Sequence, residues 1–162
     1  KNLLGFGGVA ASDVDPLGLA CSSTGDNITV PRIVLRLLLS FSMTGLRTAL
    51  AIVTGRLKVE LLPTNPNKNG ASADAPWWDT KARLFLDKVG DNENAAGLVA
   101  HEYTHVRQQT EQGLHPGSYK KHHEFEAFRA QRNVDSALKH WTDDQIADHI
   151  DKHYKGQNWL EP

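Results

Sequence analysis

Apolar side chains recur at helical spacing over Ile33, Val34, Leu37, Leu38 and Phe41, behind a proline, Pro31, that suits a first helical turn. The pattern predicts a helix or helix pair within residues 31–54, with Gly45 ending or kinking it. The period then falls to two. Leu57-Lys58-Val59-Glu60-Leu61-Leu62 alternates like a half-buried strand closed by Pro63, and Ala82-Arg83-Leu84-Phe85-Leu86-Asp87-Lys88 predicts a second strand. The polar stretch from Thr64 to Thr80 is long for so small a domain. It is either a functional loop whose Trp77-Trp78 lines a cleft, or a surface loop that those tryptophans pin to the core. Asp91 or Asn92 can cap a helix from about Glu93 to Gln112, ended by Gly113, with Ala95, Leu98, Val99 and Val106 on one face. Further helices are expected from about Tyr119 to His140 and, opened by the capping box Thr142-Asp143-Asp144-Gln145, to about Tyr154. Residues 1–27, rich in Gly, Ser, Asp and Ala, read as an extended leader, which leaves 28–162 as one domain.

Composition narrows the class. A chain of 162 residues, 40% hydrophobic and 23% charged, can bury one core. Its net charge of −1 and pI near 6.8 carry no footprint for nucleic acid or an anionic membrane surface. Arg32, Arg36 and Arg47 interrupt the most apolar stretch and leave only Leu37 to Leu46 uncharged, too short for a membrane span of about 20 residues. The single cysteine, Cys21, excludes an internal disulfide and a cysteine-based metal cluster, so any metal must be held by histidine and carboxylate. Starting at Lys1 is expected of a fragment, a processed product or a mature form. Residues 3–11, broken by Gly5, Gly7 and Gly8 and followed by Asp13 and Asp15, do not read as a secretory signal.

Chemistry enters at His101-Glu102-Tyr103-Thr104-His105, an HExxH pattern. Residues four apart lie one turn above each other on a helix, so both imidazoles can reach one metal ion from a rigid element. Glu102 lies about 100° round the same helix, where it can take a proton from water without ligating the metal. Random placement of the eight His and seven Glu gives about 0.02 such matches. A strand, a short acidic turn and then the HExxH helix is the order a zinc hydrolase requires. His149 and His153 are also four apart, but such pairs arise about 0.4 times by chance and Ile150 stands where the base would be, so they are expected at the surface.

A catalytic zinc needs a third protein ligand and an open position. Val106 to Glu111 contains no further histidine, so the ligand must come from another element, and Glu124, 19 residues beyond His105 on the next helix, is the candidate. Glu126 lies about 200° round that helix and cannot share its face. His122 and His123 are either solvated residues at a helix start or, with His115 and Tyr119, candidates to hydrogen-bond a developing oxyanion.

The two patterns together resemble the gluzincin metallopeptidases, in which the third ligand is often the first Glu of an ExxA sequence whose small Ala lets two helices approach; Glu124-Phe125-Glu126-Ala127 fits it. In one group of these enzymes an Asp follows the Ala. Here Phe128 takes its place, so that carboxylate is missing or replaced by another residue. HEYTHVRQQ is also similar to the HELxHVxQQ helix of small metallopeptidase domains in bacterial polymorphic toxins. The resemblance covers roughly residues 82–131. It implies an α+β, zincin-like fold, a small antiparallel sheet packed on the HExxH helix, and a Zn2+ peptidase with His101, His105 and Glu124 as ligands and Glu102 as general base. It also leaves strand 82–88, if it lies at a sheet edge, to bind an extended peptide.

In the leader, Asp15-Pro16-Leu17-Gly18-Leu19 resembles the DPxGL boundary that ends an Rhs (rearrangement hotspot) core and precedes its variable toxin, although Leu4 to Ser12 lacks the Asn- and Tyr-rich run of such boundaries. This resemblance implies a secreted effector delivered into a target cell, with a protein or peptide substrate, a cognate immunity protein and an Rhs shell in the full-length protein. The rivals are a non-catalytic binding or toxin module with a structural HExxH helix, and a housekeeping bacterial metallopeptidase.

Overall fold

The computed structural model describes residues 28–66, 71–77, 79–115, 118 and 120–154; the leader, with Cys21 and DPLGL, lies outside them, as do Trp78 and Tyr119. The described chain is α+β: five helices and one three-stranded sheet. The predicted helix pair is α1 (Val30–Leu39) and α2 (Met43–Val53), with Pro31 in the first turn of α1. Gly45 neither ends nor kinks a helix. It sits inside α2, its N–H donating to the Ser42 hydroxyl that caps the helix, and an added Cβ would fall 2.2 Å from the Leu37 carbonyl oxygen. Hydrogen is therefore the only side chain that lets the two helices meet so closely. The break falls at Phe41, whose φ of 50° turns the chain.

The sheet departs from the expected antiparallel arrangement. β1 (Lys58–Leu62) pairs in parallel with β3 (Lys81–Phe85), and β3 pairs antiparallel with β2 (Ala73–Asp74), giving the order β1-β3-β2. A two-residue strand inside a polar loop has no period to read. Its position is fixed by pairing and by Arg83, which binds Asp74 bidentately at 2.6 Å. β3 is thus the central strand and not an edge.

The long helix α3 (Asn92–Gln112) begins and ends where capping chemistry predicts. Asp91 accepts the N–H groups of Glu93 and Asn94, and Gly113 closes the helix at φ 66°. Ala95, Val99 and Val106 are buried and Leu98 is partly buried. The sheet, α1, α2 and α4 (Lys121–Arg132) all pack on α3. The helix expected from Tyr119 to His140 is shorter than its pattern. Asp135 turns its carboxylate to the N–H of Ala137 and to the Asn94 amide, Ser136 N–H donates to Glu93, and these bonds replace a helical ladder after Arg132. Gly97 makes that junction possible, since a Cβ there would meet the Asp135 Cβ at 2.7 Å. Finally α5 (Asp143–His153) opens with the predicted capping box and lays Ile146 and Ile150 against Phe128 in a second small core.

Candidate metal centre and its surroundings

α3 and α4 bring His101, His105 and Glu124 together. The two Nε2 atoms are 3.1 Å apart, and Glu124 reaches both, Oε2 at 3.5 Å from His101 and Oε1 at 3.5 Å from His105. All the ligand atoms lie within 4.8 Å of one another, so this group could hold a metal ion. Ala127, one turn beyond Glu124, is fully buried. Glu126 takes no place in the group; its carboxylate accepts a hydrogen bond from Gln108.

Gln108 orders His105. Its amide N–H groups donate to the His123 carbonyl and to Glu126, each at 3.1 Å, so its oxygen must face His105 Nδ1 at 2.9 Å. That pairing puts the imidazole proton on Nδ1 and leaves the Nε2 lone pair aimed at the cluster. His101 has no such support. Its Nδ1 is buried without a hydrogen-bond partner, and the Phe128 ring stands edge-on to it at 4.7 Å, in the place where the resemblance would put an Asp.

The electrostatics are those of a crowded, dry site. Burial opposes charge on Glu124, yet the two histidines outweigh it and hold the carboxyl well below its usual range. Burial likewise opposes protonation of His105, but Glu124, Glu102 and Gln108 together raise the imidazole to about 9. Glu102, 7% exposed, is pushed up by burial, assisted by Glu124 and Asp74 and resisted by both histidines. A carboxyl lifted in this way is a stronger base toward water than an ordinary glutamate.

The remaining predicted residues disperse. His123 is buried rather than solvated, its Nδ1 accepting the Lys120 N–H at the start of α4, and burial followed by its neighbour His122 lowers its pKa. His122 is exposed and stacks on His123 with ring centres 4.0 Å apart. His115 is exposed beside Trp77 at 4.9 Å, and Tyr119 lies outside the described residues. His149 is not the surface residue expected: its ring packs on Phe128 and Trp141, while His153 is exposed. Two participants escaped the sequence reading. One is Gln108, three residues past His105 and hence on its face. The other is Tyr154, which continues the buried stripe Ile146–Ile150 by one more turn. Its phenol hydrogen-bonds Glu124, and burial, then the Glu124 and Glu102 charges, hold its proton on well above the ordinary range.

Compared with known proteins, no family model matches this chain, and no curated relative or solved structure is significantly similar to it.

Proposed function

We propose that the chain is a zinc-dependent endopeptidase with a zincin-like arrangement of sheet, HExxH helix and ligand-bearing second helix. The observation that carries this is the His101–His105–Glu124 triangle. Ligands about 2.0–2.1 Å from a tetrahedral zinc are about 3.3–3.4 Å from one another. The two imidazole nitrogens are 3.1 Å apart, Glu124 turns one oxygen to each at 3.5 Å, and one ligand atom from each residue lies within 4.8 Å of the others. A buried Glu124 Oε2 without a hydrogen bond also marks an acceptor in want of a cation. The donor set found among the described residues, two imidazoles and a carboxylate, is that of a catalytic site rather than a closed structural one.

Zinc held by these three residues would supply a Lewis acid that polarises the scissile carbonyl and acidifies water. Glu102 removes the proton from the attacking water and passes it to the leaving amine; burial raises its proton affinity, which favours the first transfer. Tyr154 keeps its proton and donates a hydrogen bond to Glu124; to serve the developing oxyanion it would exchange that carboxylate for the substrate oxygen. An extended substrate cannot add to β3, which is paired on both sides. β2 is an edge among the described residues, and its Asp74 lies close enough to act on Glu102, so β2 is the strand to receive a peptide.

The effector role rests on DPLGL in the leader, and in that role the producer must silence the enzyme, most simply by an immunity protein over the cleft. Metal analysis of the purified chain, with cleavage of an unstructured protein such as casein, tests the peptidase. Stoichiometric zinc and zinc-dependent cleavage are expected, with Glu102→Gln keeping the metal and losing at least about a hundredfold in activity. A metal-free protein, or full activity in Glu102→Gln, would overturn it. Expression of the wild type in a bacterial cytoplasm beside Glu102→Gln tests the effector role; growth arrest by the wild type alone is expected.

A further inference from the structure

α2 is inverted. Its buried positions are Gly45, Thr48, Ala49 and Ala51, whereas Met43, Leu46, Leu50 and Val53 face out at 50–72% exposure. α1 buries Ile33 and Leu37 but also leaves Leu35, Leu38 and Leu39 in solvent. At the corner between the helices stands Phe41, 92% exposed and at φ 50°, a left-handed conformation that glycine adopts freely and a side-chain-bearing residue disfavours. A phenylalanine there touches almost nothing of its own fold. Isolated exposed leucines need no explanation, but eight large apolar side chains exposed on two consecutive helices and their corner do.

Charge says what the face fits. From Ile28 to Val59 there is no Asp or Glu, while Arg32, Arg36, Arg47, Arg56 and Lys58 fall within the same stretch. At about 100° per residue, Arg32 and Arg36 line one flank of the α1 stripe and Arg47 one flank of the α2 stripe. Apolar side chains bordered by arginines, on two helices that carry no carboxylate of their own, are the make-up of a surface that lies in the headgroup region of an anionic bilayer. A second copy would set two arginine-bearing helix pairs against each other. A protein partner would have to supply a pocket for a projecting Phe41, whereas lipid chains rearrange around it. No helix here is long and apolar enough to cross a membrane, so contact at the interface is the geometry left to it among the described residues. The whole-chain charge of −1 conceals this segregation.

From these observations we infer that the α1–α2 face, led by Phe41, docks on membranes rich in anionic lipid. The inference stands apart from the peptidase proposal, and its failure would leave the metal centre untouched. The test uses the full chain with Cys21→Ser and Leu46→Cys, labelled at position 46 with a polarity-sensitive fluorophore. In buffer the label should report water. With vesicles of phosphatidylcholine and phosphatidylglycerol in equal parts its emission should shift to the blue, the protein should co-sediment, and raised salt should reverse both. Phosphatidylcholine vesicles alone should give little of either effect. Arg36→Gln and Arg47→Gln should each weaken binding about fivefold, and Phe41→Ser should abolish the deep part of the shift. Three results would overturn the inference: a label already shielded without lipid, which would mean the face is covered by this chain or a second copy; no vesicle binding; or equal binding to neutral and anionic vesicles.

Discussion

Between α3 and α4 the chain buries His101, Glu102, His105, Gln108 and His123, while α1, α2 and their corner hold eight large apolar side chains at 36–92% exposure. Each half breaks the ordinary partition, in opposite directions. Burying ionisable groups costs several kcal/mol unless they are paired, and an exposed leucine forgoes about 1.5–3 kcal/mol of burial. Domains of this size retain only about 5–15 kcal/mol of net stability, so neither exception is explained by folding alone. The residues of the buried polar half could hold an ion in common. The exposed apolar half is the face inferred above to meet an anionic bilayer.

The largest expected effect separates the halves outright. His101→Ala or His105→Ala should bring metal content to background and abolish activity, with vesicle binding unchanged. Loss of both functions together would mean that the two halves are not independent.

A second test uses pH on metal-free protein. His105 has its pKa raised from 6.5 to about 9 in the fold, so its contribution to stability is complete below pH 6.5 and is lost as pH rises through 9. Glu124, depressed below its ordinary 4.5, contributes above that value and is lost only in stronger acid. Thermal melts in chelator should therefore fall on the alkaline side. Saturating zinc should flatten the fall, because the metal requires neutral His105 and its uptake releases a proton. A melting profile without an alkaline decline would contradict the charged pair.

Gln108→Leu should weaken zinc affinity about 10–100-fold, by freeing His105 to rotate and change tautomer, while leaving the fold intact by circular dichroism. Unchanged affinity would make Gln108 a packing residue only. The smallest effects lie on the other half. Gly45→Ala should cost about 1–3 kcal/mol in denaturant melts, since its Cβ would collide with the Leu37 carbonyl. Leu46→Gln and Leu50→Gln, larger changes in polarity, should move stability by less than about 0.5 kcal/mol. Destabilisation by the leucine changes would show that the face is packed.

Much of this was legible in residue order. The N-cap Asp91, the stop at Gly113, the face of α3, the break between α1 and α2 and the capping box at Thr142 are local, set by hydrogen bonds within a few residues, and the structure places all of them as the pattern predicts apart from where the α1–α2 break falls. The meeting of Glu124 with His101 and His105 was also legible. Spacing on each helix defines which side chains share a face, and the described structure brings those two faces together.

What no local pattern could decide was anything that depended on partners distant in sequence. The parallel pairing of β1 with β3 follows from β2 crossing to the far side, a matter of three segments at once. The early end of α4 follows from Glu93 and Asn94 claiming the backbone and side chain of 135 and 136. Tyr154 reaches Glu124 only because α5 folds back on α4, and the whole-chain charge hid a helix pair without carboxylates of its own, whose packing leaves eight large apolar side chains exposed. Periodicity, caps and ligand spacing are properties of one helix or strand at a time, and the sequence by itself determined those. Which faces meet, and which remain for water, metal or membrane, was decided by the competition of all the segments for one core.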